Sequence, residues 1–235
     1  MPKGLPWFFV DEPGERVRLS EEDAKHATRS LRLRAGAEVT VSDGRGWVGR
    51  GPLSVDGEVE VAESRTLEPP TPRVRVAMAP PTGDRAWWAV QKLTELGVDE
   101  IALVESARST RKLDDQVRRR ATAVAREAAK QSRRAFLPRV TVAGDRGLFA
   151  GAPDREAAVV LFEDATEPLR ACLVSDSVTA VGLYIGPEGG LAPEDLDAAR
   201  ERGAVLASLG EPNLRTETAA VAAAVIVLSR YGRLG

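Results

Sequence analysis

Two strand-to-helix turns in the last quarter of the chain constrain its fold more than any other feature. Val178–Ile185 is apolar and β-branched, as a strand buried on both faces should be, and it stops at Gly186-Pro187-Glu188-Gly189-Gly190. A helix is expected over Pro193–Arg202, with Pro193 suited to its first turn and Gly203 to its C-terminal cap. Ala204–Leu209 then reads as a second short buried strand. Gly210 and Pro212 break it, and Asn213-Leu214-Arg215-Thr216-Glu217-Thr218 runs into an alanine-rich helix ending near Gly232. Alternation of this kind demands an α/β sheet, and in open sheets of that class ligands bind beyond the carboxyl ends of the strands. Both turns lie at such ends. Where glycine leaves the backbone bare, N–H and C=O groups can meet an adenosine edge or a carboxylate directly. Neither turn is a Walker loop, because no Gly-Lys-Ser/Thr follows, and Gly186, Gly189 and Gly190 do not have the dinucleotide G-x-G-x-x-G spacing.

Upstream, the character of the chain changes at Leu67-Glu68-Pro69-Pro70-Thr71-Pro72, a stiff proline-rich linker. Residues 1–68 read as a small β-rich domain. They contain one short helix, Glu21–Leu31, and strands near Glu38–Val41, Trp47–Gly49, Leu53–Val55 and Glu58–Ala62, broken by Gly44, Gly46, Gly51 and Gly57. Residues 73–235 alternate strand and helix. Strands are expected at Val74–Ala79, Ile101–Val104 and Ala158–Phe162, a helix at Arg85–Leu96 with Asp84 as N-cap and Gly97 as its stop, and a long helix near Asp114–Arg134.

The net charge of -2 hides a segment, Arg108–Arg139, in which eleven basic residues face only Asp114, Asp115 and Glu127. Arg119, Arg126, Lys130, Arg133 and Arg134 recur close to the helical period, so they form a basic stripe suited to phosphates or to a solvated, ion-paired face. Lys25, Arg29, Arg32 and Arg34 around His26 form a second patch. Cys172 and His26 are the only cysteine and histidine, which excludes an intramolecular disulfide and a Cys/His metal cluster. The longest apolar run, Ala219–Leu228, is too short to span a membrane, so a cytoplasmic location without membrane or metal partners is the expectation. Arginine supplies 28 of the 33 basic residues and Asn213 is the sole asparagine, a composition compatible with a thermophilic source or a GC-rich genome.

With these turns go Gly83-Asp84-Arg85, Gln91-Lys92-Leu93-Thr94-Glu95-Leu96-Gly97-Val98 and Glu127-Ala128-Ala129-Lys130-Gln131-Ser132-Arg133-Arg134. In this order the blocks resemble the uracil-N3 methyltransferases of small-subunit ribosomal RNA (RsmE type), members of the SPOUT superfamily, across nearly the whole chain. The resemblance implies an N-terminal PUA-like β-barrel (1–68) that holds RNA. It also implies a C-terminal α/β domain with a trefoil knot (73–235), S-adenosylmethionine as cofactor, and a homodimer acting on 16S ribosomal RNA or the assembled small subunit. It places the cofactor on Leu161, Phe162 and Glu163, on Ile185, Gly186, Pro187, Glu188, Gly189 and Gly190, and on Leu209, Gly210, Asn213, Leu214, Arg215 and Thr216. Departures are Thr82 where lysine is frequent, Ala121 where tryptophan is common, and Pro212-Asn213 in place of a basic-apolar pair.

Methylation of uracil N3 needs a base for the N3 proton or a cation for the negative charge that spreads to the carbonyl oxygens. Arg215 is the candidate cation, with structural anchoring or a phosphate contact as its alternatives. Glu188 and Glu217 are the candidate acid–base groups, although either could serve only the turn or the helix dipole. Trp87, Trp88, Ala219, Ala222, Ala223 and Ile226 could pack across a two-fold axis or simply fill the core. A ribose 2'-hydroxyl or another base as acceptor, or a non-catalytic RNA-binding assembly role, would suit the same fold.

Overall fold

A computed structural model describes residues 4–109, 112–173 and 177–235. The chain forms two compact units, residues 1–69 with 129–137, and residues 70–128 with 138–235. Arg111 of the basic segment lies outside the described residues.

In the first unit β1 (Trp7–Phe9), β2 (Arg16–Arg18), β3 (Ala37–Ser42), β4 (Trp47–Leu53), β5 (Glu58–Glu60) and β6 (Glu63–Thr66) make one curled sheet in the order β1-β3-β4-β5-β2, with β6 also paired to β4. Phe8, Val17, Val39, Val41, Leu53 and Val59 fill its core. Helix α1 (Glu21–Lys25) starts where the Ser20 hydroxyl accepts the Asp23 N–H, and the chain continues as a π-turn, His26–Ser30. The expected break at Gly51 is not there, because β4 runs through Gly49 and Gly51 to Leu53 and leaves Val55 in a turn. A Cβ at Gly51 would run into the Glu60 carbonyl, so the glycine serves close backbone approach and not chain reversal. Strands β1 and β2 have three residues each, too few for a period to show. Residues 129–137 belong to this unit: Gly46 N–H donates to Ala135 O (3.0 Å) and Leu137 N–H to Gly44 O (2.8 Å).

The second unit is built on a parallel sheet of β7 (Arg73–Met78), β8 (Glu100–Glu105), β9 (Arg139–Arg146), β10 (Ala157–Leu161), β11 (Ala180–Ile185) and β12 (Val205–Ala207), ordered β12-β10-β11-β7-β8-β9. Its helices are α2 (Arg85–Leu96), α3 (Asp115–Gln131), α4 (Leu169–Cys172), α5 (Pro193–Glu201) and α6 (Thr216–Arg230). α2 and α6 share one core with Val76, Leu183 and Ile185, whereas Ala199 of α5 packs in another with Ala77, Val160 and Tyr184. Helices on both faces explain why β11 and the stretches Val76–Met78 of β7 and Ile101–Val104 of β8 are apolar. Asp84 precedes α2 without capping it by its side chain, and its carboxylate accepts from Arg120 Nη2 at 3.1 Å. Arg120 also lies 4.6 Å from the Trp87 ring centroid, so Trp87, 7% exposed, is core within the chain.

Polar groups are threaded through this sheet. Arg75 on β7 donates to Tyr184 Oη (2.9 Å) and Glu100 Oε1 (3.2 Å), and the Tyr184 hydroxyl donates to Glu156. Burial raises the Glu156 carboxyl above its ordinary 4.5, outweighing the Tyr184 hydrogen bond and the charges of Arg75 and Arg202. A raised folded-state value means the fold favours the protonated acid. That contribution is whole below 4.5 and is lost as pH rises through the raised value. Glu156→Gln, uncharged at every pH, is therefore expected to gain stability relative to wild type as pH climbs from 4 to 8. Urea denaturation at a series of pH values measures the gap, and a gap independent of pH would contradict the assignment.

Candidate active site

The two turns meet. At the carboxyl ends of β10, β11 and β12 a crevice of about 1060 Å³ is lined by Leu161, Phe162 and Glu163, by every residue from Ile185 to Leu191, and by Ala207 to Thr216. All the residues expected to hold the cofactor are thus brought to one wall-to-wall cleft. The Thr216 hydroxyl donates to the Gly186 carbonyl at 3.0 Å, a direct tie between the two turns. Within the first turn Gly190 N–H donates to Pro187 O (2.9 Å), and Gly190 has φ +74, a left-handed conformation that disfavours any side chain. A Cβ on Gly186 would lie 2.6 Å from Leu191 Cδ2, so that glycine lets buried Leu191 close the floor of the turn. Helix α5 begins just beyond, where Ala192 offers no capping atom and buried Asp195 accepts the Ala192 N–H at 3.0 Å instead.

Arg215, the candidate cation, and Glu188, one of the two acid–base candidates, line the crevice and are exposed. Glu217 is not among the lining residues. It is 6% exposed, and its Oε2 is buried with no hydrogen-bond partner among the described residues. Two arginines that sequence reasoning had not placed in the site do line it. Arg85 Nη1 donates to Glu188 Oε1 at 2.6 Å, and Arg108 Nη1 donates to Gly189 O at 3.0 Å. Both reach a turn far along the chain, so no local pattern marks them; the only hint was Arg85's place in Gly83-Asp84-Arg85.

The residues expected to meet RNA are divided between the units. Arg119 and Arg126 lie on α3 in the second, Arg119 exposed and Arg126 half-buried. Lys25, His26, Arg29, Arg32 and Arg34 are exposed in the first, with Lys25 paired to Glu21. Lys130, Arg133 and Arg134 belong to that same unit. The Lys130 ammonium sits 2.6 Å from Asp23 Oδ1 with both side chains largely buried, so it ties the end of α3 to α1. Arg32 (φ 54) and Arg133 (φ 55) are left-handed. Arg133 ends α3 in the bonding pattern normally given to glycine, with Arg133 N–H on Lys130 O and Arg134 N–H on Ala129 O.

Holding an arginine there costs about 1–2 kcal/mol, partly offset in a glycine variant by chain entropy. Arg133→Gly is expected to gain about 0.5–1 kcal/mol, or roughly 2–4 °C in melting midpoint per kcal/mol, while RNA affinity falls and its salt dependence becomes shallower. Calorimetry and filter binding across salt concentrations check both halves. Unchanged RNA binding would remove Arg133 from the interface.

Among the described residues no helix is long and apolar enough to cross a membrane, and no group of three His, Cys, Asp or Glu side chains could hold a metal ion.

Residues 68–228 match the RNA methyltransferase domain family and residues 19–51 the RNA methyltransferase PUA domain family. Fold and site together therefore define a PUA-bearing α/β RNA methyltransferase. Ribosomal RNA small subunit methyltransferase E from Mycobacterium bovis is 32% identical over 92% of this chain and 88% of its own length, and that from Bacillus subtilis 30% over 90% and 91%. The crystal structure of ribosomal RNA small subunit methyltransferase E from Neisseria gonorrhoeae bound to S-adenosyl methionine superposes with a TM-score of 0.83, at 27% identity, over 97% of this chain and 98% of that one. The chain belongs to the ribosomal RNA small subunit methyltransferase E family.

Proposed function

We propose that the protein methylates N3 of a uracil in 16S ribosomal RNA, with S-adenosylmethionine as donor, in the cytoplasm and as a homodimer. The observation that carries the proposal is the convergence of the two turns on one crevice, within a chain of this family. The crevice suits the donor chemically. Leu161, Ile185, Leu209 and Leu214 offer apolar walls for a purine, the glycine turn offers bare backbone, and Glu163 and Glu188 offer carboxylates for ribose hydroxyls or a positive sulfur. Bound there, S-adenosylmethionine supplies a methyl group on a sulfonium, and its transfer to N3 leaves a neutral thioether.

The chain's own groups then have three tasks. The turns fix the donor so that N3 can approach in line with the departing sulfur. Arg215, at the rim, stabilises the negative charge that reaches the uracil O2 and O4 as N3 loses its proton. Glu188, also on the wall, receives that proton on a carboxylate oxygen. Residues 1–68 hold the RNA through Lys25, His26, Arg29, Arg32 and Arg34, assisted by Arg119, Arg126, Arg133 and Arg134.

Two finer features belong to the same proposal. A trefoil knot in the second unit is part of this reading, on the ground of the family to which the chain belongs. Trp88, 44% exposed, and half-buried Ala222 and Ile226 on α6 offer an apolar surface for a two-fold partner.

The test is incubation of small subunits lacking the modification with labelled donor, followed by nucleoside digestion. Label in 3-methyluridine is expected. Label in a 2'-O-methyl nucleoside or another base would change the acceptor, and donor binding with no label in RNA would leave an assembly factor.

A further inference from the structure

Glu188 is exposed, yet its carboxylate is held at one place on the crevice wall by the Arg85 guanidinium. Arg85 opens α2, and its Nη1 donates to Glu188 Oε1 at 2.6 Å while its Nη2 donates to the Thr82 hydroxyl at 3.3 Å. Behind it stands Glu217, whose Oε1 is 3.9 Å from the same Nη1. The three side chains differ in exposure in a telling way: 41% for Glu188, 36% for Arg85 and 9% for Glu217. Water can solvate Glu188. It scarcely reaches Glu217, whose Oε2 is buried with no hydrogen-bond partner among the described residues.

A carboxylate in that condition attracts the nearest cation strongly, because Coulomb interactions are least screened where water is excluded. Arg85 Nη1, which carries two N–H groups, faces both acids at once, while the rest of the rigid planar fork reaches Thr82. We propose that Arg85 is a positioning residue, anchored by Glu217, that orients the Glu188 carboxylate toward the reacting nucleotide. Glu217 then acts through Arg85 and does not itself meet the substrate, as its absence from the crevice lining requires. The inference rests on the methyltransferase reading above and deepens it by separating the two acids that sequence alone left equivalent.

The experiment uses the full chain with Arg85→Ala, Arg85→Lys, Glu217→Gln and the Arg85→Ala/Glu217→Gln double variant. Steady-state kinetics on small-subunit RNA, calorimetric binding of S-adenosylmethionine and a thermal melt are measured for each. Arg85→Ala is expected to lower kcat on the order of 10- to 100-fold, within the range for a misplaced proton acceptor, with donor affinity changed less than about threefold. Arg85→Lys should recover part of the loss, Glu217→Gln should lose about 5- to 10-fold, and the double variant should be no worse than Arg85→Ala alone, because both substitutions break one chain of contacts. Additive losses in the double variant would overturn the inference, as would a fall in donor affinity or melting midpoint large enough to account for the lost rate. Wild-type protein that neither binds the donor nor methylates RNA would sink the functional reading itself, and this inference with it.

Discussion

Gly189→Val is expected to melt with the wild type and yet to bind S-adenosylmethionine on the order of 100-fold more weakly, a change of about 2.8 kcal/mol. The separation of fold from binding follows from the local geometry. An added Cβ at Gly189 would find only the Arg108 side chain, at 3.7 Å, an ordinary contact with a flexible neighbour. Nothing in the turn itself opposes the substitution. The side chain would instead stand on a crevice-lining segment whose bare backbone is its means of approaching a ligand. Gly186→Val makes the instructive comparison. There the Cβ would press on Leu191 at 2.6 Å and disturb the Thr216 contact to the Gly186 carbonyl, so stability and binding should fall together. Calorimetry and a thermal melt on both variants decide the matter. Wild-type affinity in Gly189→Val would place the donor elsewhere.

Arg215→Ala should lower kcat by about 10²- to 10³-fold, the usual effect of removing one group that stabilises developing negative charge. Its backbone is pinned, since Arg215 O accepts the Ala219 N–H at 2.8 Å as α6 begins. Its side chain is exposed at the rim, and among the described residues it makes no hydrogen bond or ion pair. Truncation therefore removes no internal contact, and the melting midpoint should hold. Arg215→Lys keeps the charge but not the planar fork, so an intermediate rate is expected. Single-turnover rates with saturating donor measure the chemical step directly. A rate within threefold of wild type would leave Arg215 as an anchor or a phosphate contact.

Most elements of the second unit were legible because they carry their own punctuation. Gly97 and Gly203 end helices, Pro193 opens one, and Val181–Ile185 is continuously apolar because helices cover both faces of its sheet. The two turns were legible for the same reason: glycine and proline act within a few residues of themselves. Strands β1, β2, β6 and β9 and helix α4 were not, since β1, β2, β6 and α4 have only three or four residues each and β9, at the sheet edge, mixes Arg139 and Thr141 with Val140 and Val142.

What the amino-acid sequence determined by itself was local: which segments are strands and helices, where the bare-backbone turns fall, and that their residues differ from phosphate loops. Tertiary structure alone decided which distant groups share a charge. It set Arg85 between Glu188 and Glu217, laid Arg108 on Gly189, and engaged Lys130 with Asp23 in place of open solvent. Propensity and capping are properties of neighbours along a chain, whereas an ion pair depends on burial and on the few ångströms separating its members, which only the packed fold specifies.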